Sequence, residues 1–312
     1  MLRARNWALK DYFEKGDKPL TGMLTRGEKV FVFVNNLFMV LLCAAMIYPI
    51  LFVLGRSVTP EIERALHPLR LIPSKLDWSG YDFILSSGSN IVNSYVTTIR
   101  RTIIGTFINI IVTTLLAYPL SKKYYPPRKT IIAIIVFTMW FSGGLIPSFL
   151  LIKSLGLLNN FWVYILPSTV NAFNLIIMRN FFMQIPDSLE ESAKLDGAND
   201  LRVFFSIYLP LSTASIATIT LFYAVYHWNM WFDSMLYMNR KEMWTMQYTL
   251  RQLIDSASVT DIAIVGTAMD NIPPAETVRM ATIVIATVPI LCVYPFLQKY
   301  FVKGMLVGSV KG

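Results

Sequence analysis

The residues with the most chemistry to offer lie in one polar stretch, Glu190-Glu191-Ser192-Ala193-Lys194-Leu195-Asp196-Gly197-Ala198, between two long apolar runs. Carboxylates, an amine and small side chains at this density can form ion pairs and present an edge to another protein. Hydrolysis is another matter. The chain has no glycine-rich phosphate loop ending in Lys-Ser or Lys-Thr, no Ser/His/Asp spacing and no histidine–carboxylate zinc motif. It is therefore expected not to be an enzyme, with no catalytic residue, no metal site and no cofactor of its own. Ile185-Pro186-Asp187-Ser188 leads into the stretch. Asp187 or Ser188 is placed to cap a helix, and Glu190 and Glu191 fall in the following turn, where the helix dipole favours carboxylates. Gly197 supplies the left-handed residue that ends a helix. The pattern predicts a short polar helix that stops at Gly197, with Phe204, Ile207 and Pro210 leading into the next apolar run.

A second group, Arg100, Arg101, Tyr223, His227, Trp228, Asn229 and Trp231, falls at the start of an earlier apolar run and at the end of the run that follows the polar stretch. Two kinds of chemistry fit it. Aromatic faces stack on the apolar faces of sugar rings, and guanidinium groups bind carboxylates through paired hydrogen bonds; the set would then line a path for an oligosaccharide, acidic if the arginines take part. The same residues also fit ordinary interface roles, tryptophans in an aromatic belt and arginines snorkelling to lipid phosphates. Consecutive helical residues point about 100° apart, so at most one of Arg100 and Arg101 faces a pore.

The elements that must position these groups are membrane spans. The 312 residues are 54% hydrophobic and only 15% charged, against roughly 25% charged for a soluble domain. Net charge is +9, yet the basic residues sort by loop rather than forming a nucleic-acid surface, so no nucleic acid is expected. Cys43 and Cys292 both sit in apolar runs and read as small packing residues rather than a disulfide. The expected architecture is all-α with six transmembrane helices: Val30–Leu54, Thr102–Leu120, Thr130–Ile152, Phe161–Phe182, Phe204–Trp228 and Thr277–Gln298. Each is long enough to cross a core of roughly 30 Å. Gly143, Gly144 and Pro147 interrupt the third, which must face protein or water there.

The organisation that follows is a basic tail over 1–29, too long to be the lead of a signal peptide, a first span over 30–54, and an extracytoplasmic loop over 55–90. A core of five spans then occupies 91–298, with the polar loop at 185–203, and a second tail covers 299–312. Placing both termini in the cytoplasm puts 17 of the 28 basic residues inside, as the positive-inside rule requires. The polar helix then lies on the ATP side. An ion-coupled secondary transporter is the alternative, but none of the six spans carries an acidic residue, the usual mark of proton coupling.

The polar stretch also resembles a known signature. In the membrane subunits of bacterial ABC importers the loop reads Glu-Ala-Ala, two residues, Asp-Gly-Ala, five residues, then a phenylalanine and a proline. Here it reads Glu191-Ser192-Ala193, two residues, Asp196-Gly197-Ala198, five residues, Phe204 and Pro210, with Ser192 in place of the first alanine. The chain resembles a carbohydrate-type, maltose-permease-like ABC importer permease from about Asn93 onward. Tyr294-Pro295-Phe296-Leu297-Gln298-Lys299-Tyr300-Phe301-Val302-Lys303-Gly304-Met305 and the closing Val310-Lys311-Gly312 resemble permeases for complex or acidic oligosaccharides such as alginate. The resemblance implies the type I importer fold in the bacterial inner membrane. It implies a second homologous permease, two ATPase subunits that bind ATP and Mg, and an extracytoplasmic solute-binding protein. It further implies that Glu190, Glu191, Ser192, Ala193, Asp196, Gly197 and Ala198 couple this chain to the ATPase during alternating access.

Overall fold

The computed structural model describes residues 25–68, 70–85, 90–255, 274, 276–289 and 291–292. Most of the 1–29 tail, the end of the sixth expected span and the carboxyl-terminal segment that resembles oligosaccharide permeases lie outside the described residues. All regular structure among the described residues is helical. The chain divides into two units, Met1–Val53 and Leu54–Gly312.

In the first unit, Thr25 and Glu28 open helix α1 (Arg26–Ser57). Thr25 Oγ1 accepts the Glu28 N–H at 3.3 Å, and Glu28 Oε2 accepts the Thr25 N–H at 2.6 Å. This reciprocal box satisfies two donors that a helix start leaves open. From Val30 to Leu54 α1 is apolar except for Asn35 and Asn36, the composition and length of a membrane span.

The second unit is built around α4 (Asn90–Ser121), which begins twelve residues before the expected second span. Hydropathy misses this first third because its polar side chains are paired inside the protein. Ser94 Oγ meets Thr249 Oγ1 at 2.7 Å, and Thr98 Oγ1 accepts the Met246 N–H at 2.8 Å. Ser94, Thr98, Arg101, Gly105, Asn109 and Thr113 recur at helical spacing on the buried face. Small and hydroxylated residues on such a face let helices approach closely without the water that drives packing in soluble proteins. At Gly105 the approach is close enough that a Cβ would stand 2.5 Å from His227 Nε2.

Short helices α2 (Glu61–Leu66) and α3 (Ser79–Leu85) precede α4. After it come α5 (Arg128–Trp140), α6 (Leu145–Ser154), tight turns over Phe161–Tyr164 and Leu166–Ser168, and α7 (Ala172–Phe182). Next are α8 (Asp187–Leu195), α9 (Asp200–Val203), a wide π turn over Phe204–Tyr208, α10 (Leu209–Leu211) and α11 (Thr213–Asn229). Helices α12 (Phe232–Tyr237) and α13 (Met246–Asp255) follow, and 276–289 is helical (α14). One core cluster joins Ala117 and Leu120 of α4, Leu175, Met178 and Phe182 of α7, Val203, Phe204 and Tyr208 of the connecting turns, and Ile219 and Tyr223 of α11.

Two described helices, α1 and α4, are each long and apolar enough to cross a membrane, and five spans result if three bent pairs each count as one. The third, fourth and fifth expected spans are thus not straight rods. Helices α5 and α6 meet at 116°, where Gly144 takes φ 85, a conformation open to glycine. Phe161–Ser168 and α7 meet at 51° and Asp200–Leu211 and α11 at 81°. The last bend follows Pro210, which has no N–H to give to the helical ladder, and the π turn in which Leu209 N–H reaches back to Phe204 O.

Candidate functional site

The polar stretch folds into α8, a sharp turn and α9. Helix α8 starts at Asp187, with Pro186 before it and no side chain closing its end. Capping by Asp187 or Ser188 is therefore not what forms. The Asp187 carboxylate instead pairs with Lys123 at 3.0 Å. At the far end Gly197 takes φ 79. Its N–H bonds Lys194 O at 3.0 Å, and the Ala198 N–H bonds Ala193 O at 2.9 Å. This is a Schellman closure, and the methyl groups of Ala193 and Ala198 pack against the core below it. Asn199 then caps α9 by accepting the Arg202 N–H at 2.8 Å.

Two neighbouring glutamates face opposite ways. Glu190 is 6% exposed and Glu191 is exposed. The Glu190 carboxylate accepts bonds from Lys122 Nζ, from Tyr124 OH at 3.0 Å and from Tyr208 OH at 3.2 Å, and pairs with Lys194 at 2.8 Å. Burial alone would raise its pKa. The bonds from Lys122 and Lys194 and the charge of Lys122 outweigh burial and hold it down to about 2. Burial pulls the Lys122 amine below its ordinary value against the pull of Glu190, and its ammonium lies over the rings of Tyr118 and Tyr208 at 4.2 and 3.7 Å. Lys194 is raised, chiefly by its bond to Glu190, and also reaches Asp200 at 3.1 Å. Sequence reasoning missed Lys122, Tyr124 and Tyr208. A basic residue directly after a span was the one available signal, and it reads equally well as an interface lysine.

What α8 shows to the outside is different. Glu191, Ser192, Asp196 and Gly197 are exposed, and Leu195 is 90% exposed. Beside it a small groove is lined by Ala193, Asp196, Ala198, Arg202, Val203 and Ile207. The loop thus carries a charged base fixed to the chain and an outward edge with an unburied apolar tip.

The second group does not converge on one cavity. Arg101 is fully buried: it pairs with Asp233, lies 4.7 Å over the Tyr164 ring, and donates to His227 Nδ1 at 3.4 Å and Met230 O at 3.3 Å. Its guanidinium meets neither lipid phosphates nor solvent, so neither interface snorkelling nor a solvent-facing funnel describes it. Arg100 is exposed above Phe161 at 5.5 Å. Tyr223 is buried, with its OH 2.8 Å from Thr113 Oγ1 and accepting the Asn171 N–H at 3.2 Å. Trp228 donates to Ala286 O at 3.1 Å. Asn229 is exposed and folds its amide back onto Val225 O at 2.9 Å, while Trp231 is covered by Arg251 at 4.0 Å. Asp233 is the partner that the sequence did not reveal, since nothing in the spacing ties it to Arg101. No group of three or more His, Cys, Asp or Glu that could hold a metal occurs among the described residues.

An all-helical membrane chain with bent spans, and a charged helix–turn–helix mounted at their end, has the form of a transporter's membrane subunit. The chain belongs to the permease subunits of sugar ABC transporters, and as such it is not an enzyme. It is 45% identical over 277 residues to the polygalacturonan/rhamnogalacturonan transport system permease protein YtcP of Bacillus subtilis (strain 168), covering 88% of this chain and 96% of YtcP. Protein LplC of the same organism is 44% identical over 289 residues, 92% of this chain and 97% of LplC. Among solved structures, a bacterial ABC transporter involved in the import of the acidic polysaccharide alginate matches with a TM-score of 0.82 and 34% identity, over 91% of this chain and 100% of that one. No family model matches the chain. Membership of an ABC import system implies ATPase and binding-protein partners.

Proposed function

We propose that this chain is one half of the transmembrane pathway of an ATP-driven importer for acidic oligosaccharides of the uronate type, paired with a second, homologous permease. Both termini lie in the cytoplasm, and ATP and Mg are held by two separate ATPase subunits. Closure of the ATPase pair pushes on α8, and the spans move between inward-open and outward-open states. The observation that carries this reading is the division of α8 into a fixed face and a free one. Glu190 ties the helix to the end of α4, whereas Leu195, 90% exposed, has nothing among the described residues to cover it. With Leu201, 63% exposed on α9, it gives the outer edge an apolar surface that a partner protein could cover. The acidic substrate is supported by the names of the relatives: a polygalacturonan/rhamnogalacturonan permease and an importer of the acidic polysaccharide alginate. Within this reading Arg100 stays on the substrate path, while Arg101, paired with Asp233, fastens α4 to α12.

The test is Leu195→Asp in the assembled importer. The variant is expected to insert normally but to lose its ATPase subunits on purification and at least tenfold in uptake. Full retention of the ATPase with normal uptake would sink the reading, and uptake without any ATPase would favour ion coupling.

A further inference from the structure

The break in the fourth span leaves a helix start inside the membrane-crossing part of the chain. Turns over Phe161–Ser168 and helix α7 meet there at 51°. Most of the freed backbone is satisfied locally. Thr169 Oγ1 donates to Ile165 O at 3.1 Å and Leu166 O at 3.0 Å, Asn109 Nδ2 donates to Ser168 O at 3.0 Å, and the Asn171 N–H reaches Tyr223 OH. At α7 itself Asn171 Oδ1 takes the Asn174 N–H at 3.0 Å and Asn171 O takes the Leu175 N–H at 3.0 Å. The N–H groups of Ala172 and Phe173 have no acceptor among the described residues, the ordinary consequence of a helix start.

A second feature points the same way. Asn174 is 6% exposed, and its side-chain amide has no hydrogen-bond partner among the described residues. Asn174 lines a cavity of about 550 Å³ together with Ser168, Asn171, Phe173, Tyr223 and Tyr226, within the usual size of small-molecule sites, roughly 300–1,000 Å³. No acidic residue lines it. The free Phe173 N–H, the positive end of an eleven-residue helix and an unpartnered amide suit an anion, and the rings of Phe173 and Tyr226 line the cavity and offer stacking faces for a sugar.

We infer that this cavity takes a carboxylate of the passing sugar on the amino-terminal turn of α7, with Asn174 Nδ2 as the side-chain donor. The inference rests on the acidic-substrate reading above and adds a location in this chain rather than in its partner permease. Arg100 and Arg101 are not part of the site. Selection at this point is for a negative charge on the sugar, made by backbone N–H groups and by one side-chain amide.

The experiment uses the complete importer in proteoliposomes, with trigalacturonate and its methyl ester as probes. Asn174→Asp places a negative charge in the cavity and is expected to raise KM for trigalacturonate at least tenfold while leaving the ester within about twofold of wild type. Asn174→Ala removes one donor without adding charge. It is expected to weaken trigalacturonate alone by about tenfold, the factor carried by one hydrogen bond to a charged group, and it decides the matter if the aspartate variant does not assemble. Equal losses on both sugars, or no loss on either, would overturn the site. Wild-type importer that carries the ester and ignores trigalacturonate would overturn the acidic-substrate reading instead.

Discussion

Replacing Glu190 with alanine removes the carboxylate that fixes α8 and leaves the Lys122 ammonium buried. The two side chains are 8% and 6% exposed, and breaking such a pair from one side costs about 3–5 kcal/mol. Lys122 can escape by shedding its proton, which for an ordinary amine at pH 7 costs about 4.6 kcal/mol and so caps the loss. A second route gives a similar figure. A carboxylate held at about 2 rather than 4.5 stabilises the fold by roughly 3 kcal/mol at neutral pH, somewhat less where water screens the Lys194 side. The sign follows from the lowered pKa: this contribution is present above pH 4.5 and fades as pH falls toward 2. Lys194 loses one partner but keeps Asp200, so its share is small. Amide exchange across 187–195 in the purified importer reads the effect directly, and 3 kcal/mol corresponds to opening about 150-fold more often. The double variant Lys122→Met/Glu190→Leu removes both charges and should recover most of the protection. Wild-type exchange in Glu190→Ala would refute the buried pair as the mount, and equal exchange in the single and double variants would refute its electrostatic origin.

Two further substitutions test the backbone and the packing. Gly197→Ala forces a side chain into the left-handed region at φ 79, at about 1–2 kcal/mol, and should speed exchange of the Ala198 amide about tenfold with little change in α11. Gly105→Ala drives a methyl into the His227 ring, 2.5 Å away. Overpacking of this kind costs about 1–3 kcal/mol, to be measured as a lowered denaturation midpoint in detergent and relieved by adding His227→Ala.

The membrane class and the polar loop were legible because they depend on local facts. Apolar runs announce themselves by composition, and Gly197 was readable because few other residues tolerate its φ. The signature spacing carried the family, which the relatives then showed. The rest depends on contacts between distant residues. The first third of α4 reads as loop in hydropathy, since Ser94, Thr98 and Arg101 are polar and only their partners Thr249, Met246 and Asp233 make them internal. The bends at 169–171 and Ser212 come from prolines and caps that shift by a residue or two without altering composition. Glu190 and Glu191 are identical in type and adjacent, and nothing local says which turns inward; Lys122, 68 positions away, decides it.

Lys194 joins Glu190 of α8, Asp200 of α9 and Tyr124 of the segment after α4, so the loop is ordered by its own chain before any partner arrives. A nine-residue helix that folded only on docking would forfeit on the order of 10 kcal/mol of backbone entropy at that moment. Here that ordering is complete at folding, and the association free energy can go into affinity instead. Under the proposed coupling role, this stiffness would let a displacement applied at the outer edge of α8 pass through Glu190 and Lys122 to the end of α4 rather than be dissipated by local melting.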